Sequence, residues 1–363
     1  MRIQVVSCID VDYFFAQAEE LRRPEVRGRP VVVCVYSGRT AISGSVASAN
    51  YVARQFGVKA GMVIADAMES LKGTEAVFLP IDKSYYEELS KRVFAVVGKV
   101  GGVLEVASID EGFLDVTDVV EGDFDSARVL MSDVKSEIRR DLGLSVSIGI
   151  GPNKLIAKMA CDRSKPDGLM LIKPSEVRDF LAGRPVSELP YVGKKISSRL
   201  REFGVNTVDE LARMDPQLLI SNFGRKLGLY LHLASKGEHR EAVEPRLEKS
   251  EISRIITLKE DTNDVNEIMA QLREPLLSLH RRLQQMGAYH RGIAAIVITD
   301  DLTIVSRSRT LTHLNQDLEP ILVNLNSLFL KLVGSLGDKR VRRAGAKLFL
   351  LHPMRGQTNL RDY

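Results

Sequence analysis

The sequence predicts an α+β protein that is built from more than one domain. At 363 residues the chain is longer than one hydrophobic core usually supports, so we expect two to four domains. Residues 1–171 and residues 251–352 each alternate strand-like and helix-like segments, whereas the stretch between them indicates short helices broken by Gly and Pro. Two α+β regions flanking a small helical region account for this pattern.

The first α+β region begins with residues 3–9, "IQVVSCI", whose apolar and β-branched side chains predict a buried strand that ends at Asp10. A helix ("VDYFFAQAEELRR"), a strand ("RPVVVCVY"), a Gly/Ser-rich segment and a helix ("NYVARQFGV") follow. The apolar residues of 81–100 lie on one stripe and predict a long amphipathic helix. A hairpin at 104–117, a helix at 125–142 and the strand "LSVSIGI" complete a sheet with helices on one face.

The second α+β region follows residues 241–250, "EAVEPRLEKS", which are polar, contain a proline and indicate a linker between domains. From Ile252 the pattern predicts a strand, a helix ("VNEIMAQLREPLLSLHRRLQQ"), two strands ("GIAAIVITD" and "IVSRSRTLTH"), a helix ("LEPILVNLNSLFLKLV") and a last strand ("AGAKLFLLH"). This order is that of a second, smaller α+β domain.

The composition limits the class of protein. With 44% hydrophobic and 27% charged residues, the chain is expected to be soluble and globular. Because no apolar run is long enough to span a bilayer and the N-terminus lacks the features of a signal peptide, we expect a cytoplasmic location. The three cysteines are far apart and have no His at ligand spacing, so they indicate buried hydrophobic residues and not a disulfide framework or a zinc site.

The charge is distributed unevenly along the chain. Residues 1–171 hold 21 basic and 24 acidic side chains, whereas residues 303–363 hold 10 basic and 4 acidic ones. An acidic first half and a basic end favour a nucleic acid as partner of the second half. The alternative is a solvated charged face without a partner.

Acidic residues interrupt two apolar, β-prone runs. Asp110 and Glu111 stand in "LEVASIDEGFLDVT", where Gly112 permits a bend, and Asp10 ends the first strand. If that strand and the hairpin are neighbours in one sheet, three carboxylates meet at one edge. Hard oxygen ligands of this kind suit two Mg²⁺ or Mn²⁺ ions in phosphoryl transfer. The alternative is that these acids are ordinary turn residues.

Three further residues could bind phosphate. Tyr51 and Arg54 lie three apart and hence on one face of a helix, where a phenol and a guanidinium could hold anionic oxygens. Lys165 lies in a turn of "CDRSKPDGL". Each of these side chains, taken alone, is equally consistent with a solvated surface residue.

Five segments occur in the order and spacing of one known family. They are "CIDVDYFFAQAEE", "SGSVASANYVARQFGVKAGM", "EVASIDEGFLDVT", "SIGIGPNKLIAKMACDRSKPDG" and "VSELPYVGKKISSRLREFGV". Over nearly its whole length the chain therefore resembles the Y-family translesion DNA polymerases, and most of all the archaeal members of the DinB branch.

The resemblance implies a right-hand polymerase architecture. Its parts would be a palm (1–12 and 80–171), fingers (13–79), a helical thumb with a helix-hairpin-helix (172–240), a linker (241–250), a little finger (251–352) and a tail (353–363). The implied reaction is low-fidelity, template-directed synthesis in which a primer 3′-hydroxyl attacks the α-phosphate of a dNTP and releases pyrophosphate. The implied partners are primer–template DNA and dNTP, with a monomeric enzyme and no membrane.

The resemblance also assigns site residues. The catalytic, metal-binding carboxylates would be Asp10, Asp110 and Glu111, with the Val11 carbonyl as a further ligand of two Mg²⁺ ions. The nucleotide would contact Tyr13, Phe14, Phe15, Ala47, Ser48, Tyr51, Arg54 and Lys165. Among these, Phe15 would be the steric gate against a ribose hydroxyl. Without the resemblance, Phe15 is read as a core aromatic of an amphipathic helix.

DNA contacts are implied in the thumb and the little finger. The thumb turn would use Gly193 and Lys194, although Tyr191 stands where the usual hairpin has its first glycine. Arg307 and Arg309 alternate along one strand and so point to one face, and Arg340, Arg342 and Arg343 precede the last strand. In the tail, Gln357, Leu360 and Tyr363 have the spacing of a sliding-clamp-binding motif. A tail without this function is the alternative.

Two other functions remain open from the residues. A two-metal nuclease or a nucleotide cyclase would share the acidic cluster but would not need Phe15 or a helix-hairpin-helix. A non-catalytic DNA-binding module would explain the basic half but would not need Asp10, Asp110 and Glu111 together.

Overall fold

A computed structural model describes residues 3–239, 241–245 and 250–353 of the chain. The strands are β1 (Val6–Val11), β2 (Val31–Tyr36), β3 (Gly44–Ala49), β4 (Val77–Pro80), β5 (Val103–Val106), β6 (Glu111–Asp115), β7 (Val146–Gly151), β8 (Leu169–Leu171), β9 (Glu251–Thr262), β10 (Ala288–Thr299), β11 (Ile304–Asn315) and β12 (Val341–Pro353). The α-helices are α1 (Phe14–Arg22), α2 (Tyr51–Gln55), α3 (Ile64–Ser70), α4 (Lys83–Gly98), α5 (Phe124–Leu142), α6 (Lys154–Ser164), α7 (Val177–Leu181), α8 (Lys194–Glu202), α9 (Val208–Ala212), α10 (Pro216–Phe223), α11 (Arg225–Ser235), α12 (Val265–Gln285) and α13 (Leu318–Val333).

The chain divides into two compact units. One unit comprises Met1–Val33, Ala47–Ala60 and Ser70–Arg246, and the other comprises Cys34–Val46, Gly61–Glu69 and Leu247–Tyr363. Within the described residues, no helix is both long and apolar enough to cross a membrane.

The first unit is organised by a five-stranded sheet in the order β5-β6-β1-β7-β8. Alternate residues of β1 point to opposite faces. Ile9 and Val11 pack with α4 and α5 in the main core, whereas Val6 and Cys8 pack against α6 on the other face. The expectation of helices on one face only is therefore wrong, because the apolar residues of β1 are nearly continuous and so reach both faces of the sheet.

A glycine lets α6 approach the sheet closely. A Cβ atom added to Gly149 of β7 would lie 2.1 Å from the backbone oxygen of Ala157 in α6. No larger residue fits at this contact without movement of the helix. Gly149 thereby sets the distance between α6 and the face of the sheet to which Asp10 also belongs.

Several strand limits differ from the expectations. β1 does not end before Asp10 but continues to Val11, because β6 pairs with it through Asp10 and β7 pairs with it through Val11. The Gly/Ser-rich segment contains β3, in a three-stranded sheet of order β3-β2-β4. Small side chains carry a weak strand signal in the sequence, although their backbone pairs normally.

The predicted linker is described in part. Within residues 241–245, Val243 is buried in a cluster with Cys8 and Phe113, and the Glu244 N–H donates to Glu105 Oε2 at 3.2 Å. This part of the segment is packed against the sheet of the first unit. The helices α8 to α11 share an apolar cluster around Leu200 and Leu231 with buried residues of α6 and α7, such as Ile156 and Leu181.

The second unit contains an antiparallel sheet in the order β11-β10-β12-β9. Ile293 and Ala295 of β10 pack with α12 and α13, so both helices cover one face of this sheet. β12 begins at Val341, and therefore Arg342 and Arg343 lie within the last strand, while only Arg340 precedes it. The expectation that all three arginines precede the strand is wrong. Arg342 and Arg343 interrupt the apolar pattern at the start of β12, so the sequence does not show where the strand begins.

Candidate active site

The candidate site lies where β1 and β6 meet. In the register of this antiparallel pair Asp10 is directly opposite Glu111, and opposite residues project to the same face of a sheet. Asp10 is buried and Glu111 is half-buried. The face that they share is the one covered by α6.

A lysine of α6 binds both carboxylates. Lys158 Nζ lies 3.1 Å from Asp10 Oδ2 and 2.6 Å from Glu111 Oε2, and it also contacts Asp162 Oδ1 at 3.0 Å. A second ammonium, that of Lys165, lies 2.7 Å from Asp10 Oδ2. The sequence-predicted residues Asp10, Glu111 and Lys165 are therefore brought together, and Lys158 joins them.

The pKa values of these groups follow from burial and proximity. Burial raises the pKa of Glu111 above its ordinary value, although Lys158 acts in the opposite direction. Burial disfavours the charged form of Lys158, but the surrounding acidic groups outweigh this cost and hold its pKa well above the ordinary value. The same balance, with Asp10 as the main partner, raises the pKa of Lys165.

Asp110 lies in the turn before β6. Its Oδ1 accepts a hydrogen bond of 2.5 Å from Ser108 Oγ, and its backbone oxygen accepts one of 2.8 Å from the Val11 N–H. Adjacent residues of a flat strand project to opposite faces of the sheet. Because Asp110 lies in the turn, Glu111 alone of the two acids occupies a paired strand position. The Val11 backbone lies beside Asp110, and a role of its carbonyl as a metal ligand stays a prediction.

The donor set fits a hard divalent cation. Asp10 and Glu111 already place one oxygen each on a single cationic group, the Lys158 ammonium, at the distances of direct ion pairs. Carboxylate oxygens of this kind suit Mg²⁺ or Mn²⁺. In the part of the chain that the structure describes, no group of three or more His, Cys, Asp or Glu side chains is already arranged to hold a metal ion.

The predicted triphosphate ligands form an aromatic and cationic group. The Arg54 guanidinium lies over the Tyr51 ring at 4.9 Å, and the Tyr13 ring meets the Tyr51 ring edge-on at 5.0 Å. The buried Tyr51 hydroxyl has no hydrogen-bond partner among the described residues. Ser48 Oγ donates to the Tyr13 carbonyl oxygen at 3.2 Å, which ties β3 to the start of α1, and Ala47 precedes Ser48 in β3.

The two phenylalanines of α1 have different environments. The Phe14 ring is buried in the main core, so only its backbone is available to a ligand. Phe15 is half-buried and stacks on Tyr86 with a centroid distance of 4.6 Å and an interplanar angle of 17°. The Phe15 ring therefore has a fixed orientation, as a steric gate requires.

The predicted DNA-binding residues lie in both units. Gly193 is the N-cap of α8 and Lys194 its first residue, and both are exposed. In the second unit, Arg307 and Arg309 are opposite Ala295 and Ile293, on the side of the sheet that carries the helices. Of the remaining arginines, Arg340 lies before β12 and Arg342 lies within it. Arg343 is opposite Ile298, on the side of the sheet away from the helices. The predicted clamp-binding residues Gln357, Leu360 and Tyr363 lie outside the described residues.

Motif reasoning misses Lys158 and a buried ion pair next to it. Lys154 Nζ lies 2.9 Å from Glu105 Oε2, and both side chains are about nine-tenths buried. Lys154 and Lys158 are one turn apart in α6, between apolar residues. Two lysines at this spacing among the apolar residues of 154–161 are the signal that could have indicated buried acidic partners.

Comparison with protein families matches most of the chain. Residues 9–162 match the impB/mucB/samB family, and residues 249–360 match the C-terminal domain of that family. Residues 187–238 match the thumb domain of DNA polymerase iota.

Curated proteins and solved structures agree with these matches. The DNA polymerase IV of Nitrosopumilus maritimus is 36% identical over 364 residues, which is 100% of both chains. The DNA polymerase IV of Metallosphaera sedula is 40% identical and covers 95% of this chain and 96% of its own. A Y-family DNA polymerase chimera matches with a TM-score of 0.90 at 36% identity, covering 96% of this chain and 99% of that one. DinB from Sulfolobus solfataricus matches with a TM-score of 0.66 at 36% identity, covering 95% and 98%.

Proposed function

The chain belongs to the Y family of translesion DNA polymerases, and we propose that Asp10, Asp110 and Glu111 carry its template-directed nucleotidyl transfer. The enzyme is a DNA-directed DNA polymerase that extends a primer on a DNA template, using dNTP and releasing pyrophosphate. The observation that carries the assignment of the site is the convergence of Asp10 Oδ2 and Glu111 Oε2 on one cation.

Divalent metal ions are required by enzymes of this family, and we assign two Mg²⁺ ions, replaceable by Mn²⁺, to this site. Asp10, Asp110, Glu111 and the Val11 carbonyl would hold them. When bound, such ions lower the pKa of the attacking hydroxyl and neutralise charge on the phosphates.

The side chains of the site have distinct tasks in the transfer. The primer 3′-oxygen forms a bond to the α-phosphorus while the bond from that phosphorus to the pyrophosphate oxygen breaks. Lys165 places an ammonium beside Asp10, where it would stabilise negative charge that develops on the triphosphate. Arg54 and the unpartnered Tyr51 hydroxyl would bind the outer phosphates.

Selection of the nucleotide would depend on the shape of its pocket. The Phe15 ring, fixed by Tyr86, would leave no space for a ribose 2′-hydroxyl. The main chain of Tyr13 and Phe14 would line the sugar. Ala47 and Ser48 would cover the nascent base pair with small side chains, which supports tolerance of damaged templates and low fidelity.

The remaining assignments concern partners. Gly193, Lys194, Arg307, Arg309, Arg340, Arg342 and Arg343 would bind phosphates of primer–template DNA, giving sequence-independent and salt-sensitive affinity. Gln357, Leu360 and Tyr363 would bind the sliding clamp. We also assign a monomeric state and a cytoplasmic location to the enzyme.

Primer extension with matched variants tests the proposed site. Asp10→Asn, Asp110→Asn and Glu111→Gln each remove a charge from the site and are expected to reduce extension with MgCl₂ and dNTP by about 10²-fold or more. Asp115→Asn is the control, because Asp115 lies on the same strand but bonds to Gln4 and Thr117. Extension at the wild-type rate by the Asp10 and Glu111 variants, with DNA binding intact, would refute the assignment.

A further inference from the structure

The thumb turn before α8 carries an unusual residue. Tyr191 has φ +64°, in the left-handed region that a bulky side chain rarely adopts, and its side chain is 76% exposed. Its neighbours Leu189 and Val192 are buried, so the turn itself is anchored in the thumb core. A strained backbone that presents a large ring to solvent is a reason to look for a ligand of that ring.

The Tyr191 ring is held in a fixed position. It meets the Tyr230 ring edge-on, with centroids 5.6 Å apart and an interplanar angle of 74°. The Tyr230 hydroxyl donates to the Pro190 carbonyl oxygen at 2.5 Å, and the His239 ring meets the Tyr230 ring edge-on with centroids 4.9 Å apart. Because the contact with Tyr230 already restricts the exposed ring, less conformational entropy is lost when the ring binds a ligand.

The surroundings of Tyr191 indicate what it meets. It lines a pocket of about 320 Å³ whose wall also includes Glu111 and Lys158 of the candidate active site. After the turn, in the first turn of α8, Lys194 and Lys195 are exposed and form no ion pair with any described residue. A polyanion that reaches the active site along the thumb would pass both the lysines and the ring.

We propose that Tyr191 is a DNA-anchoring residue whose ring packs on a deoxyribose of the bound primer–template, beside phosphates neutralised by Lys194 and Lys195. The inference rests on the proposed function, because it takes the polymerase substrate as its ligand. Tyrosine offers a large, flat apolar area at a small entropic cost, which suits the non-polar face of a sugar. The side chain would thus replace a contact that a glycine at this position leaves to the backbone.

An alternative role of this turn, phosphate binding by its backbone N–H groups alone, predicts a different effect of removing the Tyr191 ring. If the backbone N–H groups alone bind phosphate, the Tyr191 ring is an obstacle and its removal strengthens DNA binding. Under our proposal the ring is a ligand of DNA and its removal weakens binding. A glycine at this position tells the two apart, because glycine adopts φ +64° without strain.

The test measures thermal stability and DNA affinity of the full chain side by side. Tyr191→Gly is expected to raise the melting temperature and yet to weaken binding of a fluorescein-labelled primer–template duplex by about tenfold, since it loses the burial of one ring. Tyr191→Phe keeps the ring and is expected to bind within about twofold of the wild type. The slope of affinity against salt concentration should stay unchanged in both, because no charge is altered.

A control variant separates strain relief from loss of the ring. Leu302 also has a positive φ, of 65°, and is 68% exposed, so Leu302→Gly should raise stability and leave affinity unchanged. DNA binding by Tyr191→Gly that is as tight as that of the wild type, or tighter, would overturn the proposal. This holds even if the variant extends primers at the normal rate. A chain that binds DNA through Tyr191 but extends no primer would instead contradict the proposed function, so the two can fail separately.

Discussion

Lys158 forms ion pairs with both carboxylates of the β1–β6 pair. Its ammonium contacts both Asp10 and Glu111, which lie on strands that are far apart in the sequence. Because the three side chains are largely shielded from water, leaving any one charge without a partner would cost free energy. A divalent ion bound by the same carboxylates has to compete with this ammonium or displace it. If the proposed metal assignment holds, Lys158 stabilises the site without metal and opposes metal binding.

Replacement of Lys158 makes this competition measurable. In Lys158→Gln, Glu111 loses the ammonium that pairs with it and Asp10 keeps only Lys165. We expect a loss of about 3 kcal/mol in the free energy of unfolding without metal. Added MgCl₂ should then raise the melting temperature of the variant more than that of the wild type, since binding to the folded state is no longer opposed. Thermal unfolding with and without MgCl₂ measures both effects.

Lys154→Gln is the matched control for that measurement. Lys154 lies one turn away on the same helix and has a buried partner of its own, Glu105. Its replacement should cost comparable stability but should not increase the response to MgCl₂. Equal responses in the wild type and both variants would contradict the competition between Lys158 and the metal.

At the scale of elements, strand register decides what the local pattern leaves open. The sequence predicts a hairpin around Asp110 and Glu111, and the structure has β5, a turn and β6 there. Which of the two acids belongs to the sheet depends on the pairing of β6 with β1, over 100 residues away along the chain. A shift by one residue would move Glu111 to the opposite face.

Strand β10 supplies a pH-dependent contribution to stability. His290 is fully buried, its Nδ1 donates to the Gly292 carbonyl oxygen at 3.2 Å, and its Nε2 has no partner among the described residues. Burial lowers the pKa of His290 below the ordinary value of 6.5. The unfolded chain therefore binds a proton at a higher pH than the folded one, and stability is full above pH 6.5 and falls as the pH drops below it.

Substitution of His290 should flatten this dependence. His290→Gln is expected to remove a slope of up to about 1.4 kcal/mol per pH unit from the unfolding free energy between pH 6.5 and 5. Urea unfolding followed by circular dichroism measures the slope. The exposed His313 serves as control, and His313→Gln should retain the wild-type slope. An unchanged slope in the His290 variant would exclude this histidine as its source.

At the scale of the whole molecule, the excess of acidic side chains and the excess of basic side chains lie in different parts of the chain. The acidic part holds the candidate active site, and the basic excess of residues 303–363 belongs to the second unit. Within that unit Arg343 is exposed on the sheet face away from the helices, whereas Arg309 donates to Asn324 of α13. Arg343 is therefore the more available of the two for phosphate.

The salt dependence of DNA binding tests this role. Arg343→Ala should weaken binding of a primer–template and lower the slope of log affinity against log KCl concentration by about one, as expected for loss of one phosphate contact. Lys91→Ala removes one exposed positive charge from α4 in the first unit and should leave the slope unchanged. A wild-type slope for Arg343→Ala would remove this residue from the DNA-binding surface.

The class of fold, the order of most elements and the family can all be predicted from the amino-acid sequence. Those features depend on periods of two and 3.6 residues and on short motifs, which are local and can be read along the chain. Helix α4 and the hairpin at Glu111 are examples that the structure reproduces closely. The strand β3 was missed because Gly and Ser give no apolar alternation.

Which of these residues contact one another depends on the folded structure. Lys158 is 47 residues from Glu111 and 148 from Asp10, and it reaches both because Gly149 lets α6 lie close to the sheet. Likewise, the sequence contains Tyr191 as an exception in a motif, but only the fold shows its ring fixed beside the active-site pocket. Contacts between distant residues depend on packing and register, and no local pattern in a single sequence encodes them.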